Sequence, residues 1–216
     1  MENNLEFIAI EGVIGVGKTS LAKLLTQKHN ARLVLEQFED NPFLPKFYED
    51  RERYAFPTQM AFLASRFKQQ QKMLSKDLFQ QLTISDYIFE KDRIFARLNL
   101  QDDELALYDS IFNIMTGISA QPDLVIFLQA SIERLLKNIR NRDRDYEREI
   151  SADYLKELSN AYRHFFYHYN KSPLMIINTS EIDFVRNEKH LNYIEEQIFN
   201  QPIRGKTHLQ ISTDQI

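Results

Sequence analysis

The sequence has 216 residues, of which 43% are hydrophobic, so it can bury the core of one α/β domain and is not expected to be disordered. Its net charge of −4 argues against a nucleic-acid-binding protein, which would usually carry a basic surplus, and favours a small-molecule ligand. Because cysteine is absent, disulfides, thiolate metal sites and cysteine nucleophiles are excluded.

The chain starts with a short acidic stretch, which lacks the basic and apolar segments of a signal peptide. No apolar run further along approaches the roughly 20 residues that a membrane span needs. Together with the lack of cysteine, these features predict a cytoplasmic protein that contacts no membrane.

Short apolar runs alternate with amphipathic stretches, which is the pattern of a parallel sheet covered by helices on both faces. The apolar runs predict five strands, at 7–10, 32–36, 82–85, 124–128 and 174–177. Apolar side chains at three-, four- and seven-residue spacing predict helices at 18–29, 57–79, 102–117, 132–139, 153–169 and 191–199. We therefore predict a three-layer α/β fold with a five-stranded parallel sheet, which binds its ligands at the carboxyl ends of the strands.

Nothing in the composition divides the chain into separate domains. Residues 1–200 are predicted to form a single domain, with a short lid at about 140–150. Residues 201–216 are polar and are predicted to form a C-terminal tail.

The motif at residues 12–19 is the strongest chemical signal. It reads GVIGVGKT, fits the pattern G-x-x-x-x-G-K-[ST], and lies between an apolar strand and an amphipathic helix. The glycines let backbone N–H groups point at phosphate oxygens, and the helix adds its positive end. The lysine charge suits the β- and γ-phosphates and the threonine hydroxyl suits Mg²⁺. The sequence thus predicts a site for ATP and Mg²⁺ at Gly12, Gly15, Gly17, Lys18, Thr19 and Ser20.

The same loop occurs in GTPases, motor ATPases and small-molecule kinases, so other features must separate these classes. The guanine-reading pattern N-K-x-D is absent from the sequence. The apolar strand at 124–128 ends in Gln129-Ala130 instead of the acidic residues that motor ATPases carry there. These features favour a small-molecule kinase.

Two acidic residues follow predicted strands at the same edge of the sheet as the phosphate loop. Glu36 can accept the proton of an attacking hydroxyl, or it can cap the next turn or pair with a lysine or arginine. Asp86 can bind Mg²⁺ opposite Thr19, or it can be an ordinary acid at the end of a strand or a helix N-cap. Position alone leaves both choices open.

Arg142 and Arg144 belong to a basic cluster near residue 140. Their planar guanidinium groups match phosphate oxygens and would neutralise charge that develops during transfer. Neighbouring acidic residues make a solvated, ion-paired surface the alternative.

The order of these residues resembles the deoxynucleoside kinase family, and most closely its bacterial deoxyadenosine/deoxyguanosine kinase branch. The resemblance covers about residues 6–185. Besides the phosphate loop and Glu36, it is carried by Asn41-Pro42-Phe43-Leu44, Phe47-Tyr48, Gln59, Ser65-Arg66, Ile94-Phe95-Ala96, Arg142-x-Arg144 with Glu147, and Ile182-Asp183-Phe184.

The resemblance implies a role for each matching position, and a homodimer. Glu36 would be the catalytic base toward the 5′-hydroxyl, and Lys18 would act on the donor phosphates. Tyr48 and Glu147 would hold the 3′-hydroxyl of the sugar, and Gln59 and Arg66 would line the pocket of the nucleobase. Arg142 and Arg144 would be lid arginines. Asp183 and Phe184 would pack on the adenine of ATP.

Three positions depart from the family pattern. Gln37 replaces the proline that commonly follows the base. At the end of the third strand, Ser85-Asp86-Tyr87 stands where many members have an acidic residue, arginine and serine, so that the arginine is missing. Lys91 stands at the place of an acid that reads the nucleobase, with Asp92 beside it.

The predicted reaction is the transfer of the γ-phosphoryl group of ATP to the 5′-hydroxyl of a deoxynucleoside, with deoxyadenosine or deoxyguanosine as the expected acceptors. Two other functions stay open. A nucleoside monophosphate kinase would need an arginine for its anionic acceptor, for which Arg66 is the candidate. A non-catalytic nucleotide sensor would be compatible with the missing arginine.

Overall fold

A computed structural model describes residues 5–73, 80–117, 119–147 and 150–209 of the protein. Its centre is a parallel sheet with the strand order β2-β3-β1-β4-β5-β6. The strands are β1 (Phe7–Gly12), β2 (Arg32–Val34), β3 (Thr83–Ser85), β4 (Leu124–Gln129), β5 (Leu174–Asn178) and β6 (Lys206–Leu209).

The sheet has six strands, so the prediction of five is wrong by one edge strand. The sixth strand, β6, lies in the stretch that was predicted to be a polar tail. Three of its four residues are exposed, and it is held by parallel pairing with β5. A polar edge strand of this kind carries no apolar run, because its stability comes from the backbone ladder and not from burial of side chains.

Eight helices are seen in the described part of the chain. They are α1 (Lys18–His29), α2 (Leu44–Glu49), α3 (Arg51–Met73), α4 (Lys91–Asn99), α5 (Asp102–Thr116), α6 (Ile132–Arg142), α7 (Ala152–His168) and α8 (Glu188–Phe199). The predicted helix at 57–79 begins earlier, at Arg51, and Pro57 lies inside it. Residues 74–79 of that prediction lie outside the described residues. No helix within the described ranges is long and apolar enough to cross a membrane.

The helices α2 and α4 were not predicted. Both are short, with 6 and 9 residues, so neither offers the long periodic pattern on which a helix prediction depends. The omission matters for the site, because α4 begins with Lys91 and Asp92, two buried charged residues.

Two hydrophobic clusters define the interior. The larger one surrounds the sheet, where all six residues of β1 and five of the six residues of β4 are buried. The smaller one packs α3, α4 and α5 together around Leu63, Tyr108 and Phe112. Because all the strands are parallel, β1, β2 and β3 end at the same edge of the sheet, next to the smaller cluster.

Candidate active site

The loop between β1 and α1 has the backbone of a phosphate-binding loop. Gly15 and Gly17 have φ angles of 85° and 105°, which favour glycine. A Cβ atom on Gly15 would lie 2.8 Å from the carbonyl oxygen of Leu135, and one on Gly17 would lie 2.9 Å from Cζ of Phe184. Gly17 directly precedes α1 and has no side chain to cap it, so the first N–H groups of the helix can bind an anion.

Lys18 extends from the start of α1 back over this loop. Its Nζ donates to the carbonyl oxygen of Gly12 at 2.7 Å. Burial, followed by the nearby charge of Lys91, lowers the pKa of Lys18 to about 8. A bound anion would favour the charged form of Lys18 and so raise its pKa again. The environment of this lysine therefore suits a phosphate group.

Thr19 and Asp86 form an oxygen-rich pair beside the loop. The hydroxyl of Thr19 donates to Oδ2 of Asp86 at 2.5 Å, and Oδ1 of Asp86 accepts the backbone N–H of Glu36 at 2.7 Å. Asp86 does not cap the next helix, since the N-cap position of α4 is Glu90. A hydroxyl and one carboxylate fit Mg²⁺, which combines few protein oxygens with phosphate oxygens and water. The described residues contain no group of three or more His, Cys, Asp or Glu that could hold a metal ion.

Glu36 lies two residues beyond β2 and is held by two cations. Its Oε1 accepts from Nε of Arg66 at 3.0 Å, and its Oε2 accepts from Nζ of Lys91 at 2.5 Å. Burial by itself would raise the pKa of Glu36, but the charges of Lys91 and Arg66 outweigh it and hold the pKa well below its usual value. Glu36 is therefore ionised at neutral pH. Pairing with a lysine or arginine was one of the alternatives for Glu36 in the sequence, and the structure contains it. The paired carboxylate still lines a cavity.

Arg66 connects Glu36 to a second buried acid. Its guanidinium also pairs with Asp92, which is completely buried and accepts the hydroxyl of Tyr108 at 2.9 Å. Gln59 donates to the backbone oxygen of Asp92 at 3.2 Å. An arginine between two carboxylates has its charge balanced, so it can be kept in the interior in one orientation.

The cavity next to Glu36 contains all the residues that were predicted to bind the acceptor. Tyr48 of α2, Gln59 and Arg66 of α3, and Glu147 all line it. Phe38, Phe47, Phe62 and Phe95 complete its apolar wall. Such a mixture of aromatic surface and a few polar groups suits a nucleoside, which has a flat base and a hydroxylated sugar.

The two arginines that were predicted to belong to the lid converge on one carboxylate. Nε of Arg142 donates to Oε2 of Glu147 at 3.0 Å, and Arg144 donates to Oε1 at 3.3 Å. Glu147 ends a 3₁₀ turn at Asp145–Glu147 and is buried. The guanidinium of Arg144 also lies 4.2 Å from the ring centre of Phe38. Residues 148 and 149 of the predicted lid lie outside the described residues.

A second cavity lies on the other side of the phosphate loop. It is lined by the loop from Gly15 to Ser20 and by Asp183 and Phe184, as predicted for the donor site. Asp183 accepts the backbone N–H groups of Val185 and Arg186, at 3.2 and 3.1 Å, and so shapes this turn. The two cavities share the residues Lys18, Thr19, Arg142 and Arg144. The two cavities thus meet at the phosphate loop.

Three buried charged residues of this region are not among the predicted site residues. Glu11, at the end of β1, accepts the N–H groups of Gly12 and Ile88, both at 3.0 Å. Burial raises the pKa of Glu11, although Lys91 and Lys18 oppose that shift. Lys91 and Asp92 open the unpredicted helix α4. The family resemblance placed Lys91 at the position of an acid that reads the nucleobase, but it gave neither residue a role.

Comparison with known proteins agrees with this geometry. Residues 8–204 match the family model of deoxynucleoside kinases. The chain belongs to the deoxynucleoside kinase family. The kinase is therefore a phosphotransferase that acts on deoxynucleosides, as the resemblance in its sequence predicts. Membership of this family favours neither the monophosphate kinase nor the non-catalytic sensor.

Named relatives of the kinase act on different bases. It is 38% identical over 161 residues to deoxyguanosine kinase of Bacillus subtilis (strain 168), a match that covers 74% of this chain and 78% of the relative. It is 31% identical over 201 residues to deoxyadenosine/deoxycytidine kinase of the same organism, covering 88% and 90%. Over 180 residues it is 37% identical to deoxyadenosine kinase of Dictyostelium discoideum, covering 81% and 72%.

A solved structure supports the fold. Deoxyadenosine kinase from M. mycoides with bound dATP superposes with a TM-score of 0.78 at 23% identity, covering 91% of this chain and 100% of that one.

Proposed function

We propose that the kinase transfers the γ-phosphoryl group of Mg²⁺-bound ATP to the 5′-hydroxyl of a purine deoxynucleoside, with Glu36 as the base. The observation that carries this proposal is the position of Glu36. Its ionised carboxylate lines the acceptor cavity together with Lys18 and Thr19 of the phosphate loop, and its backbone N–H donates to Asp86, which also accepts the hydroxyl of Thr19. A proton acceptor is thus held next to the place where the donor phosphates are expected.

The donor side would be organised by the phosphate loop. Lys18 would bind the β- and γ-phosphates, and Asp183 and Phe184 would pack on the adenine. Thr19 and Asp86 would hold Mg²⁺, which when bound neutralises charge on the phosphate oxygens. Arg142 and Arg144 line both cavities and would exchange their bonds to Glu147 for bonds to the donor phosphates.

The acceptor side would fix the deoxynucleoside from both ends. Tyr48 and Glu147 would hold the 3′-hydroxyl of the sugar, while Gln59 and Arg66 would face the nucleobase. The aromatic wall would exclude water around the 5′-oxygen, which suppresses hydrolysis of ATP. Purine acceptors are supported by the deoxyguanosine and deoxyadenosine kinases among the relatives.

Steady-state phosphorylation of the four deoxynucleosides by ATP and Mg²⁺ tests this function, with the corresponding monophosphates as parallel acceptors. We expect the largest kcat/KM for deoxyadenosine or deoxyguanosine and no reaction of the monophosphates. A preference for deoxycytidine or thymidine would refute the purine assignment. Turnover of monophosphates alone would refute the whole proposal.

We also propose that the kinase is a homodimer. The outer face of α5 exposes Leu107 and Ile114, which are 52% and 79% accessible and lie seven residues apart on the same side of the helix. Large apolar side chains grouped on an outer face support a protein interface there.

A further inference from the structure

Lys91 is a buried cation in an unfavourable place. It is the first residue of α4, and only 4% of it is exposed. The N-terminus of a helix carries a partial positive charge, which repels an ammonium group. Burial of a lysine also removes its hydration. The sequence thus keeps a lysine where packing alone would favour an apolar residue, so an anionic partner is needed to explain it.

Glu36 is the partner that the structure shows, at 2.5 Å from Nζ of Lys91. Its other oxygen is bound by Arg66, which also pairs with Asp92, so Lys91 is the second cation of a network that contains two carboxylates. Arg66 is fixed on its far side by Asp92, whereas Lys91 has three N–H donors, and one of them goes to Glu36. Lys91 is therefore the more adaptable of the two cations on this carboxylate.

Two lysines from separate elements line the same cavity. Lys18 comes from the phosphate loop and Lys91 from α4, and both face the space beside Glu36. The acids that surround them are Glu11 of β1, Glu36 and Asp86. These acids balance the charge of the two lysines, and the lysine N–H groups that line the cavity can in addition donate to a phosphate group between them. The transferring phosphoryl group is the anion that must cross this space.

We propose that Lys91 is a catalytic residue, which binds the phosphoryl group while it moves from ATP to the acceptor. This inference rests on the proposed function. During transfer the bond between the γ-phosphorus and the β,γ-bridging oxygen breaks, and a bond forms between that phosphorus and the 5′-oxygen. The hydroxyl proton goes to Glu36, and ADP leaves. Lys91 keeps its protons and neutralises charge on the oxygens of the moving group.

Replacement of Lys91 by methionine and by arginine tests this role. We expect Lys91→Met to lower kcat by ~100-fold, the effect of losing one donor to the transition state, and to change KM for the deoxynucleoside by less than about threefold. Lys91→Arg, which keeps the charge, should recover at least about tenfold of that loss. A kcat of Lys91→Met within about threefold of wild type would refute the proposal.

Lys171→Met is the matched control. Lys171 is also paired with a carboxylate near the start of α4, since it donates to Glu90 at 2.8 Å, but it is exposed and lies outside both cavities. It should retain wild-type kcat. Thermal unfolding of both variants shows whether they are folded at the assay temperature.

A double-mutant cycle distinguishes direct action of Lys91 from action through Glu36. If Lys91 contacts the phosphoryl group, Lys91→Met should lower the residual activity of Glu36→Gln by a further factor of about ten or more. If the double variant is no less active than Glu36→Gln, Lys91 only positions Glu36 and the catalytic assignment fails.

Binding of a transition-state analogue gives a measurement that does not depend on turnover. Calorimetry with ADP, aluminium fluoride and deoxyadenosine or deoxyguanosine should show about 30-fold weaker binding to Lys91→Met, with ADP alone bound within about twofold of wild type. Equal weakening of both would refute the proposal. Absence of any deoxynucleoside turnover by the wild-type protein would instead refute the proposed function itself.

Discussion

The donor and acceptor sides of this kinase are built in opposite ways. The core of the proposed donor side, its phosphate loop, is one continuous stretch from Gly12 to Ser20, whose glycines and helix start create the phosphate site locally. The acceptor side is assembled from separate elements, with Glu36 after β2, Arg66 on α3 and Lys91 on α4. A local site needs only its own backbone geometry, whereas a dispersed site depends on a balanced network of buried charges. Substitutions on the donor side should therefore lower activity and leave stability intact, whereas substitutions on the acceptor side should lower both.

The largest loss is expected on the donor side. Lys18→Ala should lower kcat/KM by about 1,000-fold while the fold remains stable, because a single charge on the phosphates is lost and the bond to the Gly12 carbonyl is a minor structural contact. Steady-state kinetics and thermal unfolding measure the two effects. Lys68→Ala, on an exposed position of α3, is the control. A large loss of stability in Lys18→Ala would contradict the local character of this site.

On the acceptor side, Glu36→Gln should lower kcat by at least ~100-fold and leave binding of the deoxynucleoside largely intact. Unlike Lys18→Ala, it should also destabilise the protein, because Arg66 and Lys91 then share no carboxylate at this position. Kinetics, nucleoside binding by calorimetry and urea unfolding measure the three quantities. Glu49→Gln, at an exposed position of α2, should change none of them. Unchanged turnover would remove Glu36 from the mechanism.

The buried charge network can be tested without touching Glu36. Asp92→Asn should lower the free energy of unfolding by about 3 kcal/mol, since it leaves the charge of Arg66 partly unpaired in the interior. Asp109→Asn removes an arginine–aspartate pair at the surface, where Arg93 and Asp109 are 31% and 30% exposed, and should cost less than about 1 kcal/mol. Urea unfolding at neutral pH compares them, and equal losses would show that burial does not set the strength of this network.

The smallest effect on turnover is expected from substitutions outside the donor and acceptor sides, on the outer face of α5. The double substitution Leu107→Asp and Ile114→Asp should convert the proposed dimer to a monomer, because two charges cannot be buried in an apolar interface. We expect the free energy of unfolding of the monomer to change by less than about 0.5 kcal/mol, since both side chains are exposed. Analytical ultracentrifugation measures the mass, with Lys68→Asp as the control. A wild-type monomer would refute the interface.

The fold and the backbone of the phosphate loop could be predicted in large part from the sequence, because both rest on local patterns. Five strands are where the apolar runs predict them, and residues 12–19 form the expected loop. The strand β6 and the helix α4 could not be predicted in this way. The first is polar and is held by a backbone ladder, and the second is too short to show a clear period.

The sequence by itself determined the parallel α/β fold, the phosphate loop and the family resemblance that the comparisons confirm. It also indicated Glu36 and Arg66 as candidate site residues, but it did not predict that their side chains form an ion pair. Only the tertiary structure decided that Glu36 lies between Arg66 and Lys91, and that Arg142 and Arg144 meet on Glu147. The physical reason is that charge pairing acts through space. Residues 30 and 55 positions from Glu36 along the chain are joined to it by the packing of α3 and α4 beside the sheet edge.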